Sequence, residues 1–278
     1  MGGVISQPIQ KYYLRFSLFH RLLHGLLMGS FLGLAATGMP LRFNQTSWAV
    51  RLTEAVGGFR VILFFHLTFA VLLTLCFFIH LGDILKRARR THWSEILGPF
   101  SLVPQIKDFR DLLQHFRWFL GTGSPPRFEH YTYWEKFDYW AVFWGMAIIG
   151  TSGYMMWFSS FFGSFIPGWL FNIALLIHAD EALLAVWFIF TIHFFNSHLR
   201  PGNFPIDLVI FTGRVSDEEL QEKHPAEYER LVAQGSPAAI QSDPPPRWMR
   251  NFGKTIGFSA ILAGFLLLVL TLVAFWSE

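Results

Sequence analysis

Five apolar runs constrain this 278-residue chain more than anything else in it: Leu18–Met39, Val61–Leu81, Tyr139–Phe158, Leu170–Phe195 and Ile256–Trp276. Crossing roughly 30 Å of hydrocarbon takes about 20 helical residues, and each run has that length. The chain therefore reads as an all-α integral membrane protein. Its expected plan is a four-helix transmembrane bundle plus a fifth C-terminal transmembrane helix. Leu18–Met39 is too long, and lacks the small-residue cleavage site, to be a removed signal peptide. Composition agrees, with 53% hydrophobic and 15% charged residues, where a soluble domain carries about a quarter charged.

The chain divides into residues 1–235 (the four-helix domain with its loops), a Pro-rich linker at 236–255 and the last span at 256–278. Lys86, Arg87, Arg89, Arg90, Lys107, Arg110, Arg117, Arg127 and Lys136 crowd the segment between spans two and three, whereas Ser159–Trp169 carries no charge. Positive residues mark the cytoplasmic side, so the N-terminus, 82–138 and 196–255 are expected in the cytoplasm of a bacterial-type inner membrane. Ile106, Phe109, Leu112, Leu113 and Phe116 recur at helical spacing in Leu102–Leu120, a pattern suited to a helix in the headgroup layer. Ser216 with Glu219 resembles a capping box, which predicts a short surface helix within 216–234. The one cysteine, Cys76, excludes a disulfide framework or thiolate cluster. No Cys-x-x-Cys-His occurs, which excludes covalently attached c-type haem. The net charge of +3 sits beside the spans and implies membrane lipid rather than nucleic acid as partner.

The chemistry follows from the histidines, because ionisable residues in spans are costly and usually functional. His20 and His24 open span one, His66 and His80 stand near the two ends of span two, and His178 and His193 do the same in span four. At about 100° per residue, each of the last two pairs falls near one stripe, roughly 21–22 Å apart along the axis. His66 can then face His178 on the outer side. His80 and His193 meet on the inner side, where His24 also arrives. Paired imidazoles at two depths are what two stacked b-type haems require. Gly25, Gly29 and Gly33, with Gly145, Gly150 and Gly153, would make room for them. Single histidines and glycine stripes also serve plain helix packing; two spaced pairs on spans of matching direction favour haem.

Arg21-Leu-Leu-His24, Ala36-Thr-Gly-Met-Pro-Leu41, Tyr131–Trp157, Leu175-Leu-Ile-His-Ala179, Gly213-Arg-Val-Ser216, His224-Pro225 and Glu227-Tyr-Glu-Arg230 resemble, in order and spacing, the formate dehydrogenase gamma subunit/Ni-hydrogenase cytochrome b family. The resemblance covers roughly residues 12–232. It implies a quinone-linked di-haem cytochrome b, with the outer haem on His66 and His178 and the inner on His24 and His193. It also implies quinone or menaquinone contacts around Tyr131, Thr132, Tyr133, Glu135 and Lys136.

The chain departs from that family in three ways. The fourth-helix histidines are 15 apart where the family has 14, His80 competes with His24 for the inner haem in a cytochrome b/b6-like pattern, and the fifth span is extra. Stripe geometry favours His80 and the resemblance His24; if both bind iron, a third haem arises with His20 or His198 as its sixth ligand. The family's Asn-Ala-Gly is replaced by Thr132-Tyr-Trp134. Glu135 or Asp138 could exchange protons with the cytoplasm, and Asp180 and Glu181 could meet an arginine or an external partner.

The expected function is a membrane-anchor subunit moving electrons between the quinone pool and a periplasmic-side redox subunit, an iron–sulfur protein or multihaem cytochrome c. It would be the quinone-reactive part of an oxidoreductase complex rather than a complete enzyme. The alternatives are a haem-bearing wire or anchor without its own quinone site, and a histidine-lined metal or proton transporter.

Overall fold

The computed structural model describes residues 10–90, 97–235 and 237–277. In chain order, β1 (Tyr12–Leu14) is followed by α1 (Leu18–Arg42), α2 (Ser47–Ala55), α3 (Phe59–Ala88) and α4 (Ile106–Phe119). Next come α5 (Tyr133–Gly145), a π turn at Met146–Gly150, α6 (Thr151–Trp157), α7 (Ser159–Phe162) and α8 (Trp169–Phe188). Two further π turns, Ile189–His193 and Phe195–Leu199, prolong α8. The chain ends with α9 (Val209–Thr212), β2 (Arg214–Ser216), α10 (Asp217–Lys223), α11 (Pro225–Ala233), β3 (Gln241–Ser242) and α12 (Arg247–Ser277).

The protein is all-α apart from one small sheet. Among the described residues, four helices are long and apolar enough to cross a membrane: Leu18–Arg42, Phe59–Ala88, Trp169–Leu199 and Arg247–Trp276. This is the pattern of a multi-pass membrane protein. Tyr139–Phe158, expected as the third span, is helical through α5, the π turn and α6 but is not among the four. Its tyrosines, tryptophans, glycines, Ser152 and Thr151 lower its mean hydropathy. The expected linker at 236–255 is also revised. Gln241 and Ser242 pair with Tyr13 and Tyr12, and α12 already starts at Arg247, just after Pro246, whose carbonyl accepts from the Met249 amide at 3.1 Å. Proline is well tolerated at a helix start, where its missing N–H would be an orphan anyway.

The chain forms two compact units. The first comprises Met1–Arg21, Arg90–Phe137 and Leu208–Lys254. Its sheet runs β2-β1-β3, antiparallel throughout, with Tyr13 opposite Val215 and Gln241. Tyr13, Val209, Val215, Leu220 and Leu231 form its apolar core. Ser216 caps α10 by accepting from the Glu219 amide at 3.2 Å. The single helix expected over 216–234 is two helices, because Pro225 cannot continue α10 and instead opens α11. At Gly213 the backbone turns left-handed (φ +74°), and a Cβ there would lie 2.5 Å from the Phe16 carbonyl oxygen. That approach lets the Gly213 carbonyl accept from the Arg15 and Phe16 amides at 2.8 and 3.2 Å.

The second unit comprises Leu22–Arg89, Asp138–Asp207 and Thr255–Glu278. Ala35 and Met39 of α1, Phe43 just after it, Val186 of α8 with Phe190 and Phe194 of its continuation, and Ala260, Leu267 and Ala274 of α12 form one core. A Cβ on Gly264 would meet the Phe190 ring at 2.4 Å, so the glycine is what lets α12 close on the fourth span. Large side chains such as Phe64, Phe78, Leu176 and Phe265 face outward at 61–65% exposure, as lipid-facing residues do.

Gly213→Ala should weaken the first unit, since it adds left-handed strain worth about 1–3 kcal/mol to a backbone collision. Hydrogen exchange of Tyr12–Leu14 should speed up, while the amides of α3 and α8 keep their protection.

Candidate functional site

All five expected histidines lie in the second unit, and two of them meet. His66 and His178 face each other with ring centroids 6.3 Å apart and planes at 76°. Two imidazole nitrogens about 2.0–2.1 Å from a shared metal, on opposite sides, put ring centroids roughly 6–6.5 Å apart. The observed spacing fits that arrangement.

The acceptors around each ring assign its tautomer. His178 Nδ1 lies 2.9 Å from the Ile149 carbonyl oxygen, which can only accept, so Nδ1 carries the proton and Nε2 the lone pair. His66 Nδ1 lies 3.0 Å from Thr37 Oγ1; that hydroxyl donates to the Gly33 carbonyl at 2.7 Å and so receives from the ring. His193 Nδ1 donates to Asp138 Oδ2 at 2.9 Å. All three rings therefore carry the proton on Nδ1 and the lone pair on Nε2. Metal-binding histidines hold their other ring nitrogen in just this way, against a carbonyl or carboxylate.

Glycines give the His66–His178 pair its space. A Cβ on Gly38 would come within 3.2 Å of His66 Cε1, and one on Gly153 within 2.9 Å of His178 Cε1. Of the stripe glycines, Gly25 and Gly29 face open space and Gly33 abuts the Phe69 ring.

Elsewhere in the second unit, His24, His193 and His198 lie within electrostatic range of one another. His80 is placed differently. Its Nε2 is 3.0 Å from the Tyr139 hydroxyl, and its ring packs edge-on to Tyr139 and tilted to Phe143. His20 Nδ1 is bonded to Ser17 Oγ at 2.8 Å in the first unit. His198 is buried against Phe194. Asp180 meets Arg42 at 3.4 Å in an exposed pair, worth at most about 1 kcal/mol.

The π turns carry information that spacing alone does not. A π turn inserts one residue into the α ladder. The turn at Ile189–His193 lies between His178 and His193, so their 15-residue separation acts as 14 on an uninterrupted helix. The turn at Met146–Gly150 contains Ile149, whose carbonyl holds His178. Thr37, Asp138 as a ring anchor, Ile149 and Gly38 were not legible as site residues. Only Asp138, an acid five residues after a helix start, offered a signal.

The residues implied for quinone lie in the first unit and are bonded internally. Thr132 gives its amide and its hydroxyl to Glu135 Oε2, each at 2.7 Å. Lys136, 7% exposed, donates to Asp108 at 2.8 Å. The Tyr133 hydroxyl pairs with His115 Nδ1 at 3.0 Å, and Tyr131 packs edge-on to His130. Beside them runs a buried network. Arg15 pairs with Glu227 at 3.1 Å, donates to His224 Nε2 at 3.0 Å and bonds the His130 carbonyl. His130 Nδ1 donates to the other Glu227 oxygen at 2.5 Å.

His224 gives its Nδ1 proton to the Glu129 carbonyl at 2.7 Å and offers Arg15 a lone pair, so it must be neutral. Burial first, and then the Arg15 charge, push its pKa down to about 4. Burial raises the Glu227 carboxyl, but the His130 hydrogen bond and the Arg15 charge outweigh it and hold the pKa at about 2. Glu135 is also lowered: burial opposes, while the Arg15 charge and the Thr132 bonds prevail. Burial and Arg15 lower His130 against the pull of Glu227.

Among the described residues no group of three or more histidine, cysteine or acidic side chains is arranged to hold a bare metal ion. Compared with known proteins, the chain matches no family model and no curated sequence.

The network makes the first unit acid-sensitive. Unfolded, His224 titrates near 6.5 and folded near 4, so the unfolded chain holds more protons between those values and stability falls as pH drops through them. Glu227 extends the loss from about 4.5 down toward 2. Opening free energies of α11 and β1, from hydrogen exchange corrected for intrinsic rates, should decline between pH 6.5 and 4. His224→Gln, which keeps both hydrogen bonds without titrating, should flatten that decline.

Proposed function

We propose that the chain is a membrane-anchor cytochrome b, passing electrons between quinone and a redox subunit on the outer side through two b-type haems. The carrying observation is the His66–His178 pair, 6.3 Å between ring centroids with both Nδ1 atoms bonded elsewhere. When bound, each haem would supply a one-electron redox centre whose potential follows ligand type, burial and nearby charge.

The chain's own residues prepare for that. Thr37 and the Ile149 carbonyl hold the outer imidazoles in the tautomer that leaves Nε2 free to coordinate. Asp138 does the same for His193, and its carboxylate makes that ring more electron-rich than a carbonyl partner would. For the inner haem the geometry favours His24 with His193. His80 has its Nε2 on the Tyr139 hydroxyl, which suits a hydrogen-bonding role. Both histidines of the outer pair come from helices apolar enough to span. In this reading Tyr139–Phe158 also crosses the membrane, giving five spans with the N-terminus in the cytoplasm.

The quinone end rests on the resemblance at Tyr131–Lys136. The internal bonds of Thr132, Tyr133, Glu135 and Lys136 favour a second reading, in which the protein is a haem-bearing wire and a separate subunit handles quinone. A quinone analogue that shifts the haem spectrum supports the first; no shift, with Lys136→Gln unchanged in electron transfer, supports the second.

Pyridine haemochrome analysis of purified protein should give two b-type haems per chain. His66→Ala and His178→Ala should each lose one haem and keep the other. His24→Ala should lose the second, and His80→Ala should retain both. Loss of haem from His80→Ala with retention in His24→Ala would reverse the inner assignment, and a colourless wild-type preparation would end the cytochrome reading.

A further inference from the structure

Helix α4 is built with its polar side inward. Asp111 is buried and bonded to Lys107 at 2.6 Å, while Asp108 receives Lys136 at 2.8 Å. Gln105 and Asp108 close a capping box at its start. The opposite side is apolar and uncovered: Ile106 is 75% exposed, Phe109 62%, Leu113 44% and Phe116 58%. At about 100° per residue, Phe116, Phe109, Leu113, Ile106, Arg117 and Arg110 follow one another round an arc of about 120°. The arc thus passes from phenylalanines to two exposed arginines at one edge. Among the described residues neither arginine is paired with a carboxylate.

A helix in water does not expose such a face while spending its acids on internal ion pairs. We propose that α4 lies flat on the membrane surface, its apolar arc sunk into the boundary between headgroups and acyl chains and Arg110 and Arg117 binding anionic lipid phosphates. Three observations select a bilayer over a protein partner. The chain carries four helices able to span a membrane, so a bilayer is always within reach of its tethers. The apolar arc is bordered by cations and by no exposed acid, which matches an anionic headgroup layer and offers a second copy of the same face only like charge. The arc is also convex and made of side chains of similar reach, where a protein partner would need pockets. Interfacial helices bury their apolar face about 5–10 Å into the boundary region, deep enough for Phe109 and Phe116. This placement stands whether or not the chain binds haem.

The test uses the full chain in nanodiscs, with Cys76→Ala as background and single nitroxide labels at Phe109→Cys, Leu113→Cys and Glu222→Cys, the last on the exposed side of α10. Unchanged hydrogen exchange at Tyr12–Leu14 confirms that each labelled chain is folded. Labels at 109 and 113 should collide with oxygen several-fold more, relative to a water-soluble nickel chelate, than the label at 222. Replacing part of the phosphatidylcholine with phosphatidylglycerol should raise that ratio, and Arg110→Gln with Arg117→Gln should abolish the rise. Nickel access at 109 and 113 equal to that at 222 would overturn the proposal, as would protection from both reagents, the mark of a protein cover. Indifference to phosphatidylglycerol would overturn the anionic-lipid contact.

Discussion

A polar ring inside hydrocarbon has no water to turn to, and that constraint organises the second unit. Each buried polar atom left without a partner in such surroundings costs several kcal/mol. The chain answers for His66, His178 and His193 by giving every Nδ1 a fixed acceptor: a hydroxyl, a carbonyl and a carboxylate. Satisfying one nitrogen in this way dictates what the other is. The orientation of the imidazoles is thus a by-product of the need to bury them, and the same bonds fix the pair whose ring centroids lie 6.3 Å apart.

The helices pay for this arrangement in irregularity. Two stretches that touch the histidines, Met146–Gly150 and Ile189–His193, are wound as π turns. The first brings the Ile149 carbonyl to His178, and the second corrects the phase of His193. Glycine does the remaining work at close quarters, at Gly38 and Gly153 beside the rings and at Gly264 beneath Phe190. The first unit uses a different device. Its core is small, and a guanidinium, Arg15, is shared between one carboxylate and one neutral imidazole, which ties the N-terminal strand to α11.

Much of this was legible in the residues. Run length located α1 and α8 to within a few residues, because lipid thickness leaves helices little freedom, whereas α3 runs on to Ala88 and α12 starts already at Arg247. The Ser216–Glu219 cap and the amphipathic pattern of 106–119 also carried through. Histidine spacing pointed to the His66–His178 meeting, since two positions on facing stripes survive small errors of phase. What was not legible depends on partners distant in sequence. Nothing local says that His80 would meet Tyr139, that Thr37 would hold His66, or that a helix would wind into a π turn at 189. The aromatic run at 139–158 is long enough to span but too rich in tyrosine, tryptophan and glycine to stand with the four strongly apolar helices. The Pro-rich stretch after 236 read as a linker because the β1 edge that recruits Gln241 and Ser242 lies more than two hundred residues earlier.

The central claim is that paired imidazoles, His66 with His178, grip one iron through their Nε2 atoms. Low-temperature electron paramagnetic resonance of the oxidised protein, combined with near-infrared magnetic circular dichroism, reads axial ligation directly. The account predicts low-spin ferric signals with bis-imidazole character, one component of which vanishes in His178→Met while the other persists. High-spin iron throughout, or a bis-imidazole signal untouched by that substitution, would contradict it.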